Sequence, residues 1–242
     1  MNQSTILIVG HGSREEAANR AFKRLVRQYA ACHPNRKIAY AFLELAQPSL
    51  ETALESLSAS ASAIIVLPLF LFASGHMRRD IPLILKKFRQ KHPSVNLSLV
   101  RELGPDPLMV ELMRERSKKL KGKPSQTWVL VVGRGAREKK IQNDFKRLAR
   151  GFGKERGFAK VEGCFFDLAL PSLEDALEKA ATERPSVLWI IPYLLFQGKL
   201  LVKIKEKAKD FSKNQPLIQT QVAKPLGFHP LLFKILDQRL KK

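Results

Sequence analysis

Short apolar runs alternate along the chain with longer stretches in which apolar residues recur at helical spacing. Residues 6–10 form the first run, which is β-branched and ends in glycine. From 15 to 30, Ala18, Phe22, Leu25, Val26 and Tyr29 recur with charges between them, which predicts an amphipathic helix. Residues 38–45 predict a second strand, and Pro48 opens a helix that carries Leu50, Ala53, Leu54 and Leu57 on one face. Residues 63–72 are almost continuously apolar, as a parallel strand covered on both faces requires. A helix at about 81–91, a strand at 97–103 and a helix from 107 to about 120 complete the series. Four strand–helix alternations predict an α/β fold, with a four-stranded parallel sheet flanked by helices and right-handed crossovers.

The same pattern then repeats at an offset of 123 residues. Leu7, Val9, Gly10 and Gly12 recur as Leu130, Val132, Gly133 and Gly135, and Phe22-Lys23-Arg24-Leu25 recurs whole as Phe145-Lys146-Arg147-Leu148. Pro48-Ser49-Leu50-Glu51 recurs as Pro171-Ser172-Leu173-Glu174, and Leu103-Gly104 with Pro107-Leu108 as Leu226-Gly227 with Pro230-Leu231. Two tandem homologous domains follow, at 1–120 and 126–242, with the basic stretch 117–126 as linker and a cleft expected between them.

Charge changes the picture. Forty-three Lys and Arg against 22 Asp and Glu leave +21, split +10 and +11 between residues 1–123 and 124–242. So the field belongs to both halves and suits a polyanionic partner. Cys32 and Cys164 stand far apart in no CxxC pattern, which argues against disulfide, zinc-ribbon and iron–sulfur chemistry. The N-terminus has no charged region or cleavage site of a signal peptide, and the longest apolar run is too short for a membrane span. These features predict a cytoplasmic protein with no membrane partner.

Ligands of open parallel sheets bind at the carboxyl ends of the strands. That rule selects Gly10-His11-Gly12-Ser13-Arg14 after the first strand, Leu43-Glu44-Leu45 after the second, and residues 73–80, with Gly75, His76, Arg78, Arg79 and Asp80, after the third. Topology alone brings His11, Glu44 and His76 to one edge, and two imidazoles with a carboxylate suit a borderline divalent metal. Glycines beside them allow close backbone approach. His33 and His92 precede prolines and read as solvated helix-end residues, while His229 reads as a cap before Pro230. In the second copy Arg134 replaces His11, Asp167 replaces Glu44, Lys199 replaces His76 and Lys203 replaces Asp80. Cationic Arg and Lys are poor ligands for a divalent cation, so only the first copy is expected to do the chemistry.

At these residues the chain resembles the class II sirohydrochlorin chelatases, the cobaltochelatases and ferrochelatases of cobalamin and siroheme synthesis. The likeness rests on Gly10-His11-Gly12-Ser13-Arg14 with Asn19 and Phe22, on Phe42-Leu43-Glu44 with Pro48-Ser49-Leu50, and on 66–71 running into Gly75-His76-Met77-Arg78-Arg79-Asp80-Ile81-Pro82. The resemblance implies the long, two-domain form with an N-terminal active half and ATP-independent insertion of a divalent metal, Co2+ before Fe2+. It implies that His11 and His76 handle metal and protons, with Glu44 as an accessory acid. The metal is then a substrate, and no tightly bound cofactor is expected. Physical chemistry agrees: insertion strips water from a cation and removes pyrrole protons, and an imidazole with an ordinary pKa of about 6.5 can do both reversibly.

Sirohydrochlorin is a polycarboxylate, so Arg134 and Lys199 are expected as counter-charges, with Arg14, Arg78 and Arg79 beside them and Gly12, Ser13 and Gly75 lining the site. Fusion of two copies predicts a monomer. A histidine-phosphatase reading would want Arg immediately before the nucleophilic His, where Gly10 stands. A nucleic-acid-binding reading rests on the charge alone, without an aromatic stacking platform, so no nucleic-acid partner is expected. A metal-delivery protein on the same fold, without turnover, is the remaining alternative.

Overall fold

The computed structural model describes residues 4–72 and 75–241, apart from the side chains of His76 and Met77. Two compact units are present, one running to Gly104 and resuming at Phe233, the other comprising Pro105–Leu232.

The first unit contains β1 (Thr5–Gly10), α1 (Glu16–Ala31), β2 (Lys37–Phe42), α2 (Leu50–Ser58), β3 (Ala63–Pro68), α3 (Gly75–Lys91) and β4 (Asn96–Leu99). Its sheet is parallel throughout, in the order β2-β1-β3-β4. Every residue of the central strand β1 is buried, and alternation along it serves two layers. Leu7 and Val9 join Leu50 and Leu54 of α2 and Ile81, Leu85 and Phe88 of α3 in one core. On the other face α1 buries Phe22, Leu25, Val26 and Tyr29, with Phe22 packed on Phe42 at a ring separation of 4.9 Å. Each fully buried leucine contributes about 2 kcal/mol.

The second unit opens with α4 (Pro107–Ser117) and continues through β5 (Thr127–Gly133), α5 (Lys139–Gly153), β6 (Lys160–Phe165), α6 (Leu173–Glu183), β7 (Val187–Pro192), α7 (Lys199–Asn214) and β8 (Gln219–Val222). Its parallel sheet has the matching order β6-β5-β7-β8. The last helix, α8 (Pro230–Leu240), starts in the second unit and runs into the first. The fold class read from the sequence is therefore present twice.

The compact units are not cut at the repeat boundaries, because α4 and most of α8 are exchanged. Arg239, 2% exposed, donates from Nε to the Glu102 carbonyl at 3.0 Å and also bonds the Leu103 carbonyl. Its repeat counterpart Arg116 donates to the carbonyls of Leu226 and Gly227, the counterparts of Leu103 and Gly104. Asp237 accepts from Tyr29 Oη at 2.8 Å and from Arg36 at 2.6 Å, and lies 3.1 Å from His33 Nε2. His33 is thus docked rather than solvated. His92 is likewise engaged, 2.9 Å from Glu55. His229 does cap, its Nδ1 accepting from the Leu231 amide at 3.2 Å.

Element ends differ from the sequence reading for local reasons. β2 stops at Phe42 because the chain turns at Leu45, which has φ +60°. α3 begins at Gly75, ahead of the expected 81, and carries Pro82 inside it. A sequence reading places proline in a first turn, where its missing N–H costs nothing. The basic stretch after α4 is not a free linker, since Lys121 bonds Gln221 through both its amide and its carbonyl and accepts from Trp189.

Candidate metal-handling site

The strand β1 ends at Gly10, and the chain then turns sharply to meet the segment after β2. The Leu43 amide donates to the Gly10 carbonyl at 2.8 Å and the Glu44 amide to the His11 carbonyl at 3.0 Å. Gly12 makes this approach feasible: its φ is +88°, and a Cβ there would lie 1.7 Å from the Glu44 carbonyl oxygen. The backbone bonds fix the two segments side by side, and the side chains follow. His11 Nδ1 lies 3.0 Å from Glu44 Oε1, with both groups partly open to solvent. Phe70, just beyond β3, stands edge-on to the imidazole at a ring separation of 6.4 Å.

With its Nδ1 beside that carboxylate, the imidazole has Nε2 as the nitrogen that could take a metal ion or a proton. The carboxylate supplies a negative charge beside the ring that helps attract a cation.

Ser13 is occupied locally: its hydroxyl accepts from the Glu15 amide at 3.0 Å, and its carbonyl accepts from buried Asn19 at 2.8 Å. Arg14 and Arg79 are exposed. Arg78 lies 3.6 Å from Glu102, so it already has a carboxylate partner. Gly75 is the first residue of α3, and His76 is in its first turn. The His76 side chain lies outside the described residues, so the expected three-group cluster is not seen as such; among the described residues no group of three metal-binding side chains occurs. The first turn of α3 carries no acidic residue, so the positive end of that helix and two arginines face the same way electrostatically, towards anions.

In the second repeat the backbone frame is copied and the chemistry is not. Gly135 has φ +101° and stands against the Asp167 carbonyl as Gly12 does against Glu44. The Asp167 amide donates to the Arg134 carbonyl at 2.9 Å, but Asp167 Oδ1 turns to the Leu168 amide at 2.8 Å. Arg134 is exposed, and Lys199 is exposed at the first position of α7. A cation at a helix N-terminus costs the helix some stability, which fits a role towards anions.

Sequence reasoning missed Phe70 and Glu102. Extending the strand-end rule to the fourth strand would have found Glu102; for Phe70, sequence offers no signal beyond its place after β3.

Along nearly its whole length the chain is similar to metal chelatases. The chain belongs to the CbiX family, whose profile matches residues 5–120 and again 128–242. It is 31% identical to the sirohydrochlorin ferrochelatase of Priestia megaterium, over 98% of this chain and 89% of that protein. It is 26% identical to the sirohydrochlorin cobaltochelatase of the same organism, over 98% and 79%. Among solved structures, SirB from Bacillus subtilis with Fe3+ matches with a TM-score of 0.89 at 26% identity, covering 99% of this chain and 94% of that one. Among the described residues no helix is long and apolar enough to cross a membrane.

Proposed function

We propose that the protein inserts a divalent metal ion, Co2+ or Fe2+, into sirohydrochlorin without ATP. The observation that carries this reading is the His11–Glu44 pair at 3.0 Å in a chain matched along nearly its whole length by sirohydrochlorin chelatases. In this reading Nε2 of His11 takes the metal from its hydration shell and then accepts a pyrrole proton, while Glu44 holds the ring and stabilises the imidazolium. His76 supplies the second imidazole. Two N–H protons leave the macrocycle as one M2+ enters, so charge balances without a further reactant. Gly12 and Gly75 keep the strand ends slim, Ser13 holds the loop, and Arg14, Arg78, Arg79, Arg134 and Lys199 take carboxylates of the macrocycle. We read the chain as a monomer, since the duplication supplies two domains without a second copy.

Oxygen and nitrogen donors rank Fe2+ and Co2+ by the metal rather than by the site, so both are assayed in parallel. Purified protein, sirohydrochlorin and either metal are mixed without ATP, and the visible spectrum is followed. Wild type should shift the spectrum with multiple turnovers, whereas His11→Ala and His76→Ala should each lose at least about 100-fold in kcat. Single-turnover metal release without insertion would support the delivery reading instead, and an unimpaired His11→Ala would sink the site assignment.

A further inference from the structure

The imidazoles of the first repeat are lost from the second, yet five of the six residues of Phe22-Lys23-Arg24-Leu25-Val26-Arg27 return in Phe145-Lys146-Arg147-Leu148-Ala149-Arg150. The fold accounts for the apolar members: Phe22, Leu25, Phe145 and Leu148 are buried. The three cations also keep their identities in both copies, with Lys23 and Lys146 partly buried and Arg24, Arg27, Arg147 and Arg150 exposed. Each lysine lies over the ring that ends the second strand of its sheet, Lys23 at 5.9 Å from Phe42 and Lys146 at 5.9 Å from Phe165. Retention where the metal-handling side chains have gone points to a use separate from insertion.

In the second unit these cations border a groove of about 540 Å3, lined by Lys146, Arg147 and Arg150 of α5 and by Val161, Glu162 and Gly163 of β6. β6 is the edge strand of its sheet. The Phe165 amide points outward, to the Pro171 carbonyl at 2.9 Å. Backbone groups alternate sides along a strand, so Val161 and Gly163 present their N–H and C=O groups to the same outer edge, with no strand opposite them among the described residues. An open ladder beside a row of cations suits an added strand whose alternate side chains are acidic. The carboxylates in and beside the groove do not cancel the field: Glu162, in its lining, lies 3.7 Å from Lys179, and Asp144, beside it and 3.6 Å from Arg147, also binds Lys140 at 2.9 Å. In the first unit Glu16 stands 3.9 Å from Lys23, whereas its counterpart in the second is Lys139. The second unit therefore carries the stronger positive field.

We infer that the groove between α5 and β6 docks an extended acidic segment of a partner protein as an additional strand. The repeat that lost its imidazoles would then act as a recruitment module, independent of the insertion chemistry.

The test uses the full chain and a fluorescein-labelled peptide of alternating Glu and Val, read by fluorescence anisotropy at physiological salt. The wild type should bind it, and Arg147→Glu/Arg150→Glu should raise Kd at least about tenfold. Both side chains are exposed, so the variant should fold. Lys205→Glu/Lys209→Glu, the same change of charge on α7, should stay within about twofold of wild type. The same peptide N-methylated at alternate residues keeps its charge but cannot complete the ladder, and should bind at least about tenfold more weakly. Binding that survives reversal of Arg147 and Arg150, or that falls equally in the α7 variant, overturns the proposal. So does equal binding of the N-methylated peptide, which would reduce the groove to a plain anion site.

Discussion

Replacing Gly12 by alanine would put a methyl group 1.7 Å from the Glu44 carbonyl oxygen and 2.9 Å from its carbonyl carbon. Both are backbone atoms, so no side-chain rotation relieves the clash. The segment after β2 must retreat by well over an ångström, breaking the Glu44-to-His11 and Leu43-to-Gly10 backbone bonds at about 1 kcal/mol each. A further 1–2 kcal/mol or so comes from holding a Cβ residue at φ +88°. The total, about 3 kcal/mol, should lower Tm by about 10 °C. The same movement carries Glu44 away from His11, and a misplacement of about 1 Å at a reacting group costs on the order of 100-fold in rate.

The duplication supplies a matched control. A Cβ on Gly135 would meet the Asp167 carbonyl oxygen at the same 1.7 Å. Gly135→Ala should therefore lose similar stability while keeping kcat for metal insertion within about threefold, whereas Gly12→Ala should lose about 100-fold. Thermal melts and the spectroscopic insertion assay, run on both variants below their melting range, make the comparison. Equal loss of kcat in the two, or full activity in Gly12→Ala, would refute the claim that this turn sets the His11–Glu44 geometry.

Arg134→Ala/Lys199→Ala should raise KM for sirohydrochlorin several-fold with little change in kcat, as loss of long-range carboxylate attraction requires, and the effect should shrink at high salt; an unchanged KM removes these residues from substrate binding. Burial tends to raise the Asp237 carboxyl, but hydrogen bonds from Tyr29 and Arg36 with the charge of His33 outweigh it and hold it below the ordinary carboxylate range. A depressed folded value means that the stabilisation is present at neutral pH and is lost as pH falls below about 4. Asp237→Asn should accordingly melt lower than wild type at pH 7, by about 1–2 kcal/mol, with the gap narrowing as pH falls below about 4; a gap that widens in acid contradicts the reasoning. Burial pushes the Cys164 thiol far up, while Cys32 is exposed, so a thiol reagent at pH 8 should titrate one cysteine in the native protein and both in denaturant.

Periodicity and the internal repeat revealed the two parallel sheets because buried strands and amphipathic helices write their burial directly into residue order. The His11–Glu44 meeting was legible for a related reason: sheet topology carries strand ends to one edge whatever the side chains are. Arg78 shows where that rule stops. It identified an arginine at the edge, but not that Glu102 on the next loop already holds it at 3.6 Å. Edge position follows from topology, whereas pairing depends on loop conformations that no period encodes.

The exchanged helices were hidden by the repeat itself. Arg116 and Arg239 carry the same guanidinium and both reach carbonyls after a fourth strand, sharing the Leu226/Leu103 position. A pattern identical in both copies is satisfied equally by docking within a repeat or by exchange, so it cannot choose. What breaks the tie is the residues that diverged. Asp237 needs donors, and in the first unit it finds Tyr29 and Arg36 beside His33. At the corresponding positions of the second repeat stand Phe152 and Ala159, which offer no side-chain donor, so two of its three partners would be missing there. Leaving that carboxylate short of partners would cost about 1–3 kcal/mol. The divergence that removed the chemistry from one copy thus has a structural parallel, in a clasp that gives α8 one chemically satisfied place to dock.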